Sequence, residues 1–203
     1  MALFGLTRTP TPEPLVRGDG LYLRPGMPGD FPAWSRLRAQ SRAYLEPWEP
    51  TWPEDDLSLT SFRRRLRRAE EDIARDEAYA LLIFDQTSDM LLGGLTLGGV
   101  RRGVSQTGTL GYWMGAPHAG KGRMTRGVAA TAEFAFTRLR LHRVEAACIP
   151  DNAPSIALLE RNGFRREGLA RSYLKIDGAW RDHILLALVE SDARLRPGVS
   201  SLG

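Results

Sequence analysis

Between residues 107 and 140 a strand-length stretch, a glycine-bearing turn and a helical repeat follow one another without a gap. Thr107 to Gly115 (TGTLGYWMG) reads as a strand. His118 to Arg123 (HAGKGR) carries Gly120 and Gly122, and Lys121 and Arg123 add positive charge. Beyond it, Met124, Val128, Ala132, Ala135 and Leu139 recur at spacings of four, four, three and four, the period of a helix with one buried face. A strand that passes into a helix through glycines brings free backbone amides to a helix start, where phosphate groups bind. By itself the unit is as compatible with a plain turn as with a phosphate site.

The flanking chain supplies partners for this unit. Gly20 to Arg24 (GLYLR) alternates and reads as a first strand. Asp30 to Leu45 and Leu57 to Asp76 read as helices, with Asp30 as a cap for the first. Between them lies a proline-broken loop, Glu46 to Asp56 (EPWEPTWPEDD), rich in acids and tryptophan. Ala78 to Phe84 and Leu91 to Val100 are apolar runs of strand length that join Thr107–Gly115 in an antiparallel meander. Arg143 to Ile149 is another strand, and Asn152 to Arg161 a short helix capped by Asn152. Phe164 to Lys175 and Trp180 to Val189 are strands joined at Asp177-Gly178, a hairpin signal. The sum is one mixed α/β domain of six to seven mostly antiparallel strands and about four helices.

Composition agrees with one domain. The chain has 203 residues, 42% hydrophobic and 26% charged, enough to bury about 70% of its unfolded surface. That excludes general disorder and a collagen-like fibre. The single cysteine, Cys148, excludes an internal disulfide and a multi-thiolate zinc site. His118, His142 and His183 are scattered without metal-ligand spacing, so no metal is expected. No apolar run reaches the roughly 18 residues of a membrane helix. Residues 1–15 lack a secretory pattern, which leads to the expectation of a cytoplasmic protein. Residues 1–18 are expected to be a flexible lead-in, 19–191 the domain and 192–203 a frayed tail. The net charge of +4 is carried almost wholly by arginine. Arg63, Arg64, Arg65, Arg67 and Arg68 mark one helix as a solvated face, or as a contact for the small ribosomal subunit.

Three longer stretches carry a resemblance. They are GYWMGAPHAGKGRM (111–124), HRVEAACIPDNAPSIALLERNGFRREG (142–168) and YLKIDGAWRDHILLAL (173–188), joined by YLEPWEP (44–50). Over residues 20–190 the sequence resembles the GNAT acetyltransferases, and within them the RimJ/RimL group of ribosomal-protein N-terminal acetyltransferases. The resemblance implies a GNAT fold and acetyl-CoA as co-substrate. It places the pyrophosphate against the amides of Ala119, Gly120, Lys121, Gly122, Arg123, Met124 and Thr125. Pantetheine would pair with an opened strand edge at Tyr112, Trp113 and Met114. Asn152 would lie near the cofactor and Ser155 near the thioester sulfur. Two departures stand out: Ala119 replaces the first polar residue of the family's loop, and Met124 replaces its last small one.

The implied chemistry is attack of an amine on acetyl-CoA. The RimI branch uses a glutamate and a tyrosine whose slots here hold Ala147 and Leu159. Glu145, two residues before Ala147 on the same strand face, is a substitute base unless it pairs with an arginine. An α-amine of pKa about 7.7–8.0 is roughly 10–15% neutral at pH 7, whereas a lysine amine at about 10.4 is neutral about 0.04% of the time. A missing strong base therefore suits an N-terminal acceptor. Glu46, Glu49, Asp55, Asp56, Trp48, Trp52 and Tyr173 are expected to line the acceptor side, with Glu49 placed to hold the amine. The expected function is acetylation of a basic protein N-terminus, ribosomal and alanine-type, by a monomer or dimer. A small-amine acetyltransferase and a non-catalytic CoA-binding protein remain alternatives.

Overall fold

Neighbouring strands in the middle of the chain send Leu81, Ile83, Leu95 and Leu97 into one buried cluster and Leu82, Phe84 and Leu91 into another. Alternating side chains are buried on both faces, so helices must cover both. The computed structural model describes residues 13–194. Its strands are β1 (Val16–Gly18), β2 (Leu21–Pro25), β3 (Tyr79–Asp85), β4 (Leu91–Arg101), β5 (Thr107–Met114), β6 (Arg143–Cys148), β7 (Arg165–Ile176) and β8 (Ala179–Val189). They form one sheet in the order β1-β2-β3-β4-β5-β6-β8-β7. All pairs are antiparallel except β5 with β6.

One face is covered by α1 (Phe31–Gln40) and α3 (Leu59–Ala74), which contribute Trp34, Leu37 and Phe62. The other is covered by α4 (Arg123–Thr137) and α5 (Ala153–Arg161), which contribute Val128, Ala135, Ile156 and Leu159. Each fully buried aliphatic side chain adds about 1.5–3 kcal/mol. Two short helices complete the chain, α2 (Arg42–Leu45) and α6 (Glu190–Arg194). No helix among the described residues is long and apolar enough to cross a membrane.

Four details differ from the sequence reading. The sheet has eight strands, because Val16–Gly18, expected in the lead-in, pairs with β2. A three-residue strand carries no alternation to reveal it. The expected helix over 30–45 breaks at Ser41, a fully buried residue whose Oγ accepts a hydrogen bond from the Ala116 amide at 2.9 Å. Asp30 stands at the N-cap of α1, as expected, but its side chain makes no capping hydrogen bond there. It binds Arg24 through both carboxylate oxygens at 2.7 Å. Ser191–Arg194, partly inside the expected tail, belong to α6; the rest of the tail and residues 1–12 of the lead-in lie outside the described residues.

Candidate functional site

The parallel pairing of β5 with β6 covers only Thr107, Gly108 and Thr109 against Arg143, Val144 and Glu145. Beyond that point no strand among the described residues pairs with Leu110–Met114 on the side facing β6. The two strands splay, and a cavity of about 830 Å³ opens through the gap. Tyr112, Trp113 and Met114 line it from β5, and Ala146, Ala147 and Cys148 from β6.

The glycine turn closes one end. Gly120 and Gly122 adopt φ of +72° and +69°. Side chains rarely tolerate that conformation. Gly122 is the N-cap of α4, and no side chain caps this helix start. Its first amides therefore have no partner within the helix. All of residues 118–126 line the cavity. Lys121 Nζ donates to the Pro117 carbonyl at 3.0 Å, and Arg123 lies 3.3 Å from His118 Nδ1. Burial, reinforced by the charges of Arg123 and Lys121, holds the His118 pKa below the ordinary histidine value. These are the features of an anion cradle: bare amides, a helix start and fixed positive charge. They fit the pyrophosphate arm of CoA without a side-chain donor at Ala119.

Near the middle of the gap stands a polar cluster on the α4/α5 side. The Tyr112 hydroxyl lies 2.7 Å from Ser155 Oγ, which lies 3.3 Å from Cys148 Sγ. Asn152 lines the cavity and also caps α5, its Oδ1 accepting from the Ser155 amide at 3.2 Å. Burial raises the pKa of both the Tyr112 hydroxyl and the Cys148 thiol. All three groups are therefore protonated at neutral pH.

The opposite side is built around Arg38. Its guanidinium binds both Glu49 oxygens at 2.7 Å and lies over the Trp52 ring at 4.0 Å and the Trp113 ring at 5.0 Å. Trp52 Nε1 donates to Glu49 at 2.8 Å. The Glu49 carbonyl accepts from the Asp177 amide at 2.9 Å, fastening the acidic loop to the β7–β8 hairpin turn. Trp113 lies flat on β4, where a Cβ at Gly94 would come within 2.4 Å of its Nε1.

The expected acceptor residues divide accordingly. Trp48 and Glu49 line the cavity. Trp52 is buried behind it, 8% exposed. Glu46 binds Arg42 at 2.5 Å, Asp55 binds Arg64 at 3.4 Å, and Asp56 is buried against Arg65 and Arg38. Glu46, Glu49, Asp55 and Asp56 thus meet arginines of the chain itself. Tyr173 lies outside the cavity lining, with its ring edge-on to His183 at 5.7 Å. Glu145 also lies outside the lining, bound to Arg143 at 2.9 Å and Arg101 at 3.3 Å. The sequence reading did not single out Arg38, nor His183, a cavity-lining side chain only 2% exposed. The alternation of β8 is the only sequence signal that points His183 inward. No group of three or more potential metal ligands exists among the described residues.

Residues 20–165 match the family described as Acetyltransferase (GNAT) domain. The chain is similar to the ribosomal protein uS5-alanine N-acetyltransferase of Escherichia coli K12, 33% identical over 94% of this chain and 97% of that one. It is similar in structure to Mycobacterium smegmatis RimJ in complex with CoA-disulfide, at 35% identity and a TM-score of 0.81, covering 87% and 86% of the two chains. It is also similar to the ribosomal-protein-S5-alanine acetyltransferase of Vibrio fischeri, at 30% identity and a TM-score of 0.79, covering 88% and 97%.

Proposed function

Because the chain belongs to the GNAT acetyltransferase family, and is an acetyl-CoA-dependent N-acetyltransferase, we propose that its acceptor is the N-terminal α-amine of a ribosomal protein that begins with an alanine-type residue. The observation that carries this reading is the splayed β5–β6 gap, with an anion cradle at one end and proton-bearing groups at its centre. The relatives named for ribosomal protein uS5 and S5 alanine support the acceptor class, and a ribosomal acceptor places the work in the cytoplasm.

Acetyl-CoA supplies an acetyl group on a sulfur whose thiol has an ordinary pKa of about 8.5. The amides of residues 120–125 and the Arg123 guanidinium hold its pyrophosphate. The free edge of Tyr112–Met114 pairs with the pantetheine amides and positions the thioester carbonyl. An N–H group near Met114 stabilises negative charge on the carbonyl oxygen as the amine adds. Ser155 Oγ, backed by Tyr112, donates a proton to the departing sulfur. Trp48 supplies an apolar wall for the acceptor, and Glu49, fixed by Arg38, draws the amine by charge.

An α-amine acceptor loses less than about 1.4 kcal/mol to protonation at pH 7, and a lysine loses about 4.6 kcal/mol. With Glu145 tied to two arginines, the smaller cost favours an N-terminal acceptor. Incubation with acetyl-CoA, peptides that differ in their first residue, and small amines tests the reading by mass spectrometry. The expected label lies on the α-amine of Ala- or Ser-starting peptides. Label confined to small amines overturns the acceptor assignment.

A further inference from the structure

We propose that His183 is the general base of the transfer, its Nε2 taking the proton that the acceptor nitrogen gives up when it attacks the acetyl carbonyl. The inference rests on the N-acetyltransferase reading above and supplies the group that reading lacks.

The first argument is chemical. His183 Nδ1 lies 3.0 Å from the Arg181 carbonyl oxygen. A carbonyl only accepts, so Nδ1 carries the hydrogen. In the neutral ring Nε2 then holds a lone pair. The ring is 2% exposed yet lines the cavity, and no partner of Nε2 is found among the described residues.

The second argument is positional. Ala147 of β6 pairs with Leu185 of β8. His183 lies two residues before Leu185, so it shares the sheet face of Ala147 and Leu185. That face also holds Trp113 and the Glu49 loop. Tyr112 and Cys148 occupy the other face, where they meet Ser155 on α5. The splayed gap thus has a proton acceptor on one side and proton donors on the other. That separation suits acyl transfer, with one group taking the proton from nitrogen and another delivering one to sulfur. Alanine at 147 leaves the face next to β8 free of a bulky side chain, and β8 fills it with a base.

The third argument is the fixed setting of the ring. Tyr173 packs edge-on to it at 5.7 Å. Tyr173 is placed there by a bulge, since Ala170 pairs with His183 but the next matched pair is Leu174 with Arg181. The Ser172 amide is anchored to Asp182 Oδ1 at 2.8 Å. The bulge turns Tyr173 into a support for His183.

The atoms balance. A bond forms between the acceptor nitrogen and the acetyl carbon, and the carbon–sulfur bond breaks. The proton on nitrogen goes to His183 Nε2, and the thiolate takes one from Ser155 Oγ. The ring then returns its proton to solvent, and Ser155 regains one. Histidine is an adequate base for an α-amine and a poor one for lysine, whose ammonium pKa lies about four units higher.

His183→Asn tests this, because the asparagine amide can still donate to the Arg181 carbonyl but offers nothing at the Nε2 position. We expect kcat to fall at least about a hundredfold, with the acetyl-CoA Kd from calorimetry within twofold and the melting temperature near that of the parent. Added imidazole should restore part of the activity of His183→Ala. A His183→Asn kcat within fivefold of the parent overturns the proposal, as does a loss of acetyl-CoA binding equal to the loss of rate.

The intact protein gives an independent check. A base that must be unprotonated to act gives kcat an acid limb, and one that belongs to the enzyme keeps its place when the acceptor is changed to an amine of lower pKa. Tyr173 and Asp182 adjoin His183; the other titratable or charged groups of the cavity are Tyr44, Glu49 with Arg38 behind it, Tyr112, Cys148, Arg161, and the His118, Lys121, Arg123 and Arg126 group at the glycine turn. The acceptor α-amine, at about 7.7–8.0, also loses its charge near neutral pH, so a limb that shifts with the pKa of the acceptor belongs to the acceptor and overturns the proposal. Absence of the limb overturns the proposal even if the variants do not fold. The variant-to-parent ratio is measured on whichever amine the parent acetylates, so a wrong acceptor assignment and a wrong base assignment give different results.

Discussion

The Tyr112 hydroxyl lies 2.7 Å from Ser155 Oγ, across the gap between a strand edge and the first turn of a helix. Under the proposed function the pair is one proton-delivery unit, built from two residues 43 positions apart. Removing either member should weaken the same step. Ser155→Ala is expected to lower kcat about tenfold, because a thiol of pKa about 8.5 already leaves fairly well. Tyr112→Phe should cost less, about threefold, and the double variant no more than Ser155→Ala alone. Steady-state kinetics of the three proteins decide it. Multiplicative losses would mean that Tyr112 acts on its own.

Under the proposed function Glu49 both holds Arg38 and meets the acceptor, and one substitution tests both. Its carboxylate holds Arg38, whose side chain is only 9% exposed. Glu49→Gln leaves that guanidinium with Asp56 at 3.8 Å as its remaining carboxylate partner. The expected loss is about 2–4 kcal/mol, seen as a melting temperature lower by roughly 5–12 °C. The peptide KM should rise while the acetyl-CoA KM stays near its parent value. Equal rises in both would reduce Glu49 to a structural role.

Gly122 is required for its backbone, not for space. A Cβ there would meet no atom within 4 Å, but φ is +69°. Gly122→Ala should cost about 1 kcal/mol of stability. Relief of that strain would turn the amides of the cradle. Calorimetry should find the acetyl-CoA Kd raised about fivefold or more, with kcat at saturation little changed. An unchanged Kd would remove the turn from the cofactor site.

His118 makes stability fall on the acid side. Its pKa is lowered in the folded protein, by burial first and then by Arg123 and Lys121, against Asp85. The unfolded chain therefore binds more protons between the lowered value and the ordinary value of about 6.5. Stability is held above the ordinary value and lost as pH falls through the lowered one. Melting temperatures at pH 7, 6 and 5 should drop less for His118→Gln than for the parent. Acetyl-CoA should bind more tightly as His118 gains charge, since the ligand is an anion. A parent and variant with parallel pH curves would refute the linkage.

The legible parts of this protein are those written locally. The Gly120–Gly122 turn and the helix after it stand in one window of sequence, and so does the Asp177-Gly178 hairpin, where both residues take positive φ. Pairings between distant segments were not legible. Nothing near Glu145 in sequence shows that Arg101 reaches it, and nothing near Asp56 shows Arg65 and Arg38. The sequence therefore places Glu46, Glu49, Asp55 and Asp56 on the acceptor side, when each is matched by an arginine of α1, α2 or α3. His183 was hidden for the same reason. Its place beside Ala147 depends on the register of β6 with β8, which no single stretch reveals.

If acetyl-CoA occupies the gap as proposed, the short pairing of β5 with β6 makes the stability of the fold depend on that ligand. Because the sheet is left open along Leu110–Met114, a molecule that bridges the two strands binds the native form and not the unfolded chain. At a hundredfold excess over its Kd such a ligand adds about 2.7 kcal/mol to folding stability.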